Sequence, residues 1–379
     1  MARRSKVETP AEQDGTTDAT EEFSIEEETV DPASLEAEGN TVVTLPVIRS
    51  DDELYRRRGT NKGDIPEPSA MLTEDRLLNT SGRNRAVPEG FWQYLIYLIS
   101  LRFINVGDSR SVRARKALDA RIATQYDHGT RFVPILTRKG GVGKTTVTTL
   151  LGMAMAAVRD DRVIAIDANP DRGTLAERVP KSTGATVRDV VKYAASIAGF
   201  TDFAELVSKD KTRLHVLASD TDPLLSEAFD ENDYNVVADQ AARFYSVVLT
   251  DCGTGVVHSV MKPTLERADG LVVVSGGSID EARLASETLT WLEANGYTKL
   301  VKNCVVALNT ATPGTNVVKL DEIENHFLSR VREVVRIPYD PYLAAGSIVD
   351  WNRLGRYTRD AARELAALVA EGMGERTGS

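Results

Sequence analysis

Between Lys139 and Thr146 the chain reads Lys-Gly-Gly-Val-Gly-Lys-Thr-Thr, a dense set of residues suited to holding phosphate. Gly140, Gly141 and Gly143 carry no Cβ, so the backbone can curl and aim several N–H groups at one point, with Val142 and Thr146 completing the cradle. Lys144 can neutralise β- and γ-phosphate charge, and the Thr145 hydroxyl is suitably placed for Mg²⁺. An apolar run from Arg131 precedes the loop and an amphipathic stretch to Val158 follows it. A helix starting at Gly143 adds its positive end to the same point. Strand, loop, Lys-Thr and helix in that order predict a phosphate-binding loop rather than a chance glycine turn.

Two carboxylates close other apolar runs. Asp167 ends the run in VIAIDANPDRGTL and Asp251 the run in VVLTDCGTG. Mg²⁺ prefers hard oxygen ligands and keeps several waters, so a direct threonine ligand with carboxylates acting through water suits it. Gly253 and Gly255 would let the second loop pass close to a γ-phosphate. Asn309 ends VVALNT and offers both donor and acceptor to a purine edge. Pro338 lies in RIPYDPYL, a stiffened loop that could cover the base. Cys252 reads as a small buried hydrophobe without a chemical role.

The elements that must position these residues follow a regular pattern. Seven apolar, β-branched runs (131–137, 162–167, 214–218, 246–251, 271–275, 304–309 and 334–337) alternate with helical stretches such as 187–197, 236–244, 279–294 and 320–331. Continuously apolar strands are buried on both faces, so the pattern predicts an α/β, doubly wound, mostly parallel sheet. Ligands in such sheets bind beyond the carboxyl ends of the strands, where Asp167, Asp251 and Asn309 stand. Pro134 is a tension, since it removes a ladder donor from the first strand. A final helix is expected over 358–373.

The 379 residues divide by composition into three parts. Residues 1–88 read as a disordered acidic extension, a solvating tail or an interaction arm. Residues 89–125 form an apolar and then basic helical segment, from FWQYLIYLISLRFINV to Arg110, Arg113, Arg115, Lys116 and Arg121. It either packs on the folded domain or lies on an anionic membrane or a partner protein. Residues 126–374 hold the phosphate site. A net charge of −10 argues against a general nucleic-acid binder. Two cysteines far apart and four scattered histidines give neither a disulfide framework nor a zinc site. The opening Met-Ala-Arg-Arg-Ser has no apolar core of a signal peptide, which predicts a reducing, cytoplasmic setting.

With a lysine ahead of the loop as well as in it, Lys139-Gly-Gly-Val-Gly-Lys-Thr-Thr resembles the deviant Walker A motif of the MinD/ParA family of P-loop ATPases. The resemblance spans about Arg131 to Met373 and implies ATP and Mg²⁺ as cofactors and an ATP-dependent homodimer. It gives Lys139 the role of reaching the partner's phosphates, Lys144 that of the ordinary P-loop lysine, and Thr145 that of Mg²⁺ ligand. Asp167 and Asn169 match the Asp-x-Asp pair of the first switch, Asp251 the acid of the second, and Asn309 and Pro338 the adenine contacts. Asn169 departs from the family's Asp, which implies slow hydrolysis unless Asp171 supplies the carboxylate. The C-terminal EGMGERTGS lacks the membrane-targeting helix typical of MinD. The polar extension, FWQYLIYLIS and INVGDS resemble the MinD-like ATPases found beside actinobacterial type VII secretion systems. The expectation is a switch that positions or regulates a membrane-associated secretion complex, peripheral at the inner face of the plasma membrane. The alternatives are a DNA-partition ATPase, using either Arg353, Arg356, Arg359 and Arg363 or the basic residues of Arg110–Arg121, and a nucleotide-binding scaffold with negligible turnover.

Overall fold

The computed structural model describes residues 89, 91–101, 105–126, 129–169, 173–220, 229–255, 258–310 and 318–374, all within the unit Thr80–Ser379. The extension expected over 1–88, Asp171 and the last five residues lie outside the described residues. In chain order the principal elements are α1 (Phe91–Ile99), α2 (Arg110–Ile122), β1 (Arg131–Leu136), α3 (Lys144–Val158) and β2 (Val163–Ala168). Then come α4 (Val187–Tyr193), β3 (Ser208–Lys209), β4 (His215–Leu217), α5 (Glu231–Ala242) and β5 (Val247–Cys252). The chain closes with β6 (Val272–Gly276), α6 (Ile279–Ala294), β7 (Val305–Asn309), α7 (Leu320–Leu328), β8 (Glu333–Ile337) and α8 (Arg356–Gly374).

The strands form one sheet in the order β3-β4-β2-β5-β1-β6-β7-β8. Every pairing is parallel except that of β3 with β4. Successive residues of a strand point to opposite faces, and here both faces are covered. Val133, Val163, Val247, Val272 and Val305 join the core shared with α3 and α8. Ile164 and Val248 pack on the other face with α4 and α5, while Val273 and Val306 pack there with α6. This double burial is why the strands read as unbroken apolar runs.

Pro134 sits in β1, in the middle of the sheet, opposite Thr250 of β5. The Arg131 amide points to the β5 side, donating to Ser246 O, and the Phe132 amide points the other way, to the Asp269 carboxylate. Pro134 shares the orientation of Phe132, and β1 pairs with β6 only from Ile135 onward. The missing donor therefore falls where no ladder bond is made.

Helix α2 is part of the folded unit. Ile122 is fully buried, Asp119 pairs with Arg363 at 3.1 Å, and Arg121 pairs with Glu371. The guanidinium of Arg159 donates to the carbonyls of Ile122 and Thr124 at 2.8 and 2.9 Å. By contrast α1 leaves Trp92, Tyr94, Ile96, Leu98 and Ile99 exposed. Among the described residues no helix is long and apolar enough to cross a membrane.

Candidate nucleotide site

The carboxyl end of β1 runs into the glycine loop, and the loop runs into α3. Gly143 adopts φ +98°, a left-handed conformation that strains any L side chain, and a Cβ there would also collide with the Asn309 amide. Asn309, at the end of β7, donates from Nδ2 to Val142 O at 2.7 Å and so braces the loop from behind. Helix α3 has no side-chain cap at its N-terminus. Its first N–H groups are left to face the cavity, an arrangement that attracts anions.

Asp251 is the centre of a buried polar knot. Lys144 Nζ lies 2.5 Å from its Oδ1, Thr145 Oγ1 donates to its Oδ2 at 2.8 Å, and Thr148 Oγ1 lies 3.1 Å from Oδ1. Asp167, on the adjacent strand and in register with Asp251, accepts from the amides of Asn169 and Leu175 at 3.2 and 3.0 Å. Burial, and next the Asp251 charge, push the Asp167 carboxyl up to about 7 against the pull of Lys144 and the two amides. Gly173 passes so close to this carboxylate that a Cβ would overlap it. Thr174 Oγ1 comes within 3.4 Å of Thr145 Oγ1, linking the loop after β2 to the phosphate end.

A cavity of about 330 Å³ opens over this arrangement. Lys139, Gly140, Gly141, Val142, Gly143, Lys144, Thr145 and Thr146 line it, together with Asn169, Asn309 and Pro338. Asp167 and Asp251 do not reach its surface; they stand behind it, 1 % and 0 % exposed, and Asp251 acts on it through Thr145 and Lys144. Hard oxygens from Thr145, Asp251 and Asp167 suit Mg²⁺ in kind, with the carboxylates set back far enough for water to intervene. Among the described residues there is no cluster of three or more His, Cys, Asp or Glu side chains that could hold a metal ion. Lys139 is half exposed and lies 3.4 Å from Glu281 Oε1 on α6, while the preceding Arg138 pairs with Glu287 of the same helix. Cys252 and Cys304 are buried thiols, each pushed up to about 12 by burial, and neither lines the cavity.

Sequence reasoning missed Thr174, Arg178, Thr254, Tyr339, Asp340 and Leu343, which also line the cavity. Thr254 had a signal, since it lies between Gly253 and Gly255 in the loop already expected near the γ-phosphate. Tyr339, Asp340 and Leu343 lie in RIPYDPYL, the loop already expected over the base, and Thr174 in the stretch that follows Asp167; Arg178 lies beyond any motif.

Residues 133–371 match the family profile of the CobQ/CobB/MinD/ParA nucleotide binding domain. The ESX-1 secretion-associated protein EspI of Mycobacterium tuberculosis is 34 % identical over 289 residues. That match covers 76 % of this chain and 43 % of EspI, so the chain spans less than half the length of this relative. Among solved structures, the cell division ATPase MinD of Pyrococcus furiosus aligns with a TM-score of 0.51 at 20 % identity, covering 65 % of this chain and 99 % of that one. MinD of Pyrococcus horikoshii, complexed with Mg-ADP, aligns at 0.50 and 20 % identity, covering 65 % and 96 %.

Proposed function

This chain belongs to the CobQ/CobB/MinD/ParA nucleotide-binding family, and we propose that it is an ATP-hydrolysing switch that dimerises with ATP and regulates a membrane-associated secretion machine. The observation that carries the reading is the knot of Lys144, Thr145 and Asp251 beneath a glycine loop with an uncapped helix end. Lys144 rests on Asp251, and an arriving polyphosphate would compete for that lysine. Its transfer would release Asp251 Oδ1 at the moment the nucleotide is seated, coupling occupancy to the loop after β5. Thr145, with Asp251 and Asp167 behind it, would hold Mg²⁺, whose charge offsets that of the β- and γ-phosphates. Asn169, on the cavity wall, would orient the attacking water. Lys139 would leave Glu281 to meet the nucleotide of a second copy.

The secretion reading is supported by the likeness to EspI over most of this chain, and the exposed apolar α1 offers a surface for a partner or a membrane. The DNA alternative needs a free basic face. Arg353 instead lies over the Tyr342 ring, Arg356 pairs with Asp360, and Arg363 pairs with Asp119, leaving Arg359. On α2, Arg115 and Lys116 are paired with Glu89, Asp108 and Asp119, and Arg121 with Glu371. These intramolecular pairs weigh against the DNA reading, which is left with Arg359 and the exposed Arg110 and Arg113 of α2.

Calorimetric titration with Mg-ATP tests the site. The wild type is expected to bind, and Lys144→Ala to lose binding while keeping its circular-dichroism spectrum. Equal affinity in the two would remove the assignment. Steady-state phosphate release then separates a slow ATPase from a scaffold with no turnover.

A further inference from the structure

A second cavity, of about 390 Å³, opens at the other end of the sheet, where β2 and β4 begin. Strand register sets its floor. Lys209 of β3 stands opposite His215 of β4 in an antiparallel pair, so the two side chains share a face. His215 is also in register with Ile164 of β2, and Arg162 lies two residues earlier, which returns it to that face. About 16 Å of strand separates Arg162 from Asp167 at the nucleotide end.

His215 is 7 % exposed and lines this cavity. Its Nδ1 lies 2.6 Å from the buried Tyr245 hydroxyl. That hydroxyl has no other acceptor among the described residues, so it donates to Nδ1 and the ring proton falls on Nε2. Nε2 has no partner among the described residues and remains open to solvent. Burial, and next the charges of Lys209 and Arg162, push the ring down to about 4, so it is neutral at physiological pH. The Arg162 guanidinium lies 3.8 Å from the centre of the Phe200 ring, which holds its plane and leaves its N–H edge free. Neither Arg162 nor Lys209 is paired with a carboxylate among the described residues. Arg213, a third cation on the wall, donates to Ala156 O and Arg159 O at the end of α3, at 3.0 and 2.7 Å. Asp161 is paired through both oxygens with Arg159, which leaves the exposed Asp160 against three cations.

We propose that this cavity binds the phosphate group of a small organic phosphate monoester, at a site separate from the nucleotide. Phosphate oxygens would take the Nε2–H of His215 and the N–H edge of Arg162, with Lys209 supplying further charge. Three donors on separate strands suit the three free oxygens of a monoester better than the two of a carboxylate. The volume exceeds that of a free phosphate ion, and Phe200, Ala204 and Val207 offer the remainder an apolar wall for an organic body. The proposal stands apart from the nucleotide-site reading and does not depend on it.

The test is NMR titration of the full chain with phenyl phosphate, inorganic phosphate and phenol, read at the Cε1–H of His215. That resonance is assigned by its loss in His215→Gln or, should that variant fail to fold, by replacing the other three histidines in turn. Phenyl phosphate is expected to move it saturably, inorganic phosphate to do so roughly tenfold more weakly, and phenol not at all. Lys209→Gln and Arg162→Gln, both at exposed positions, should each weaken phenyl phosphate by roughly tenfold. A resonance that stays still, or that moves as far with phenol, would overturn the proposal. Undiminished affinity in both Gln variants would also overturn it and place the phosphate elsewhere, at the glycine loop. Equal affinity for inorganic phosphate and phenyl phosphate would contradict the organic body.

Discussion

At Asn169 a neutral amide faces the cavity, where the family resemblance implies a carboxylate. An amide can orient water through its carbonyl oxygen but is a very poor base, although a loose phosphoryl-transfer transition state needs little base strength. Turnover is therefore expected to be slow, and Asn169→Asp to raise phosphate release about tenfold, equivalent to about 1.4 kcal/mol. An unchanged rate would take Asn169 out of water placement. Asp167 makes a separate prediction through pH. Its carboxyl titrates at about 7 in the fold against an ordinary 3.8, so the nucleotide-free folded chain keeps a proton that the unfolded chain has released. That contribution to stability is complete below the ordinary value and is lost as pH rises through 7. Asp167→Asn removes the titration, so its melting temperature relative to wild type should climb between acidic and mildly alkaline pH. Parallel melting curves would contradict the shifted carboxyl. The phosphate loop and the strand-end acids were readable because their chemistry lies in contiguous sequence. Arg178 was not, because a bond such as Val349 N to Arg178 O places it and no local pattern announces it.

Helix α2 shows what sequence periodicity leaves open. Its basic residues read as a packed helix or as a membrane-facing surface, and the choice is made by acids on distant segments, Glu371 above all. Deleting residues 1–125 removes α2 and uncovers the face of α8 on which Ile122 packs. Loss of that burial and of the Arg159 contacts, about 3 kcal/mol, should lower the melting temperature by roughly 6 to 12 °C. Deleting residues 1–104 should leave it nearly unchanged. Equal melting of the two truncations would make α2 a passenger. Element boundaries slipped for local reasons: α5 begins at Glu231 because Asp230 caps it by accepting from the Asn232 and Asp233 amides. The apolar face, visible only from Val236, could not reveal a polar first turn. The two-residue antiparallel β3 was too short to carry any alternation. The parallel core was readable because burial on both faces leaves unbroken β-branched runs.

For the molecule as a whole, a net charge of −10 coexists with an exposed apolar helix, Trp92 being 68 % and Ile99 73 % exposed. Surface of that kind serves a partner or a membrane better than a polyanion. The full chain is therefore expected to pellet with anionic liposomes or with a protein partner, and not with DNA. Replacing Trp92 and Ile99 by serine should weaken that recruitment while sparing nucleotide affinity; DNA pelleting unaffected by these changes would favour the partition reading. The central claim is that ATP, and not ADP, joins two copies through Lys139. Light scattering of the full chain with each Mg-nucleotide measures this directly. The wild type should double its mass with Mg-ATP alone, and Lys139→Ala should bind Mg-ATP yet remain a monomer. A wild type whose mass is the same with both bound nucleotides, or a Lys139→Ala chain that still doubles, would contradict the account.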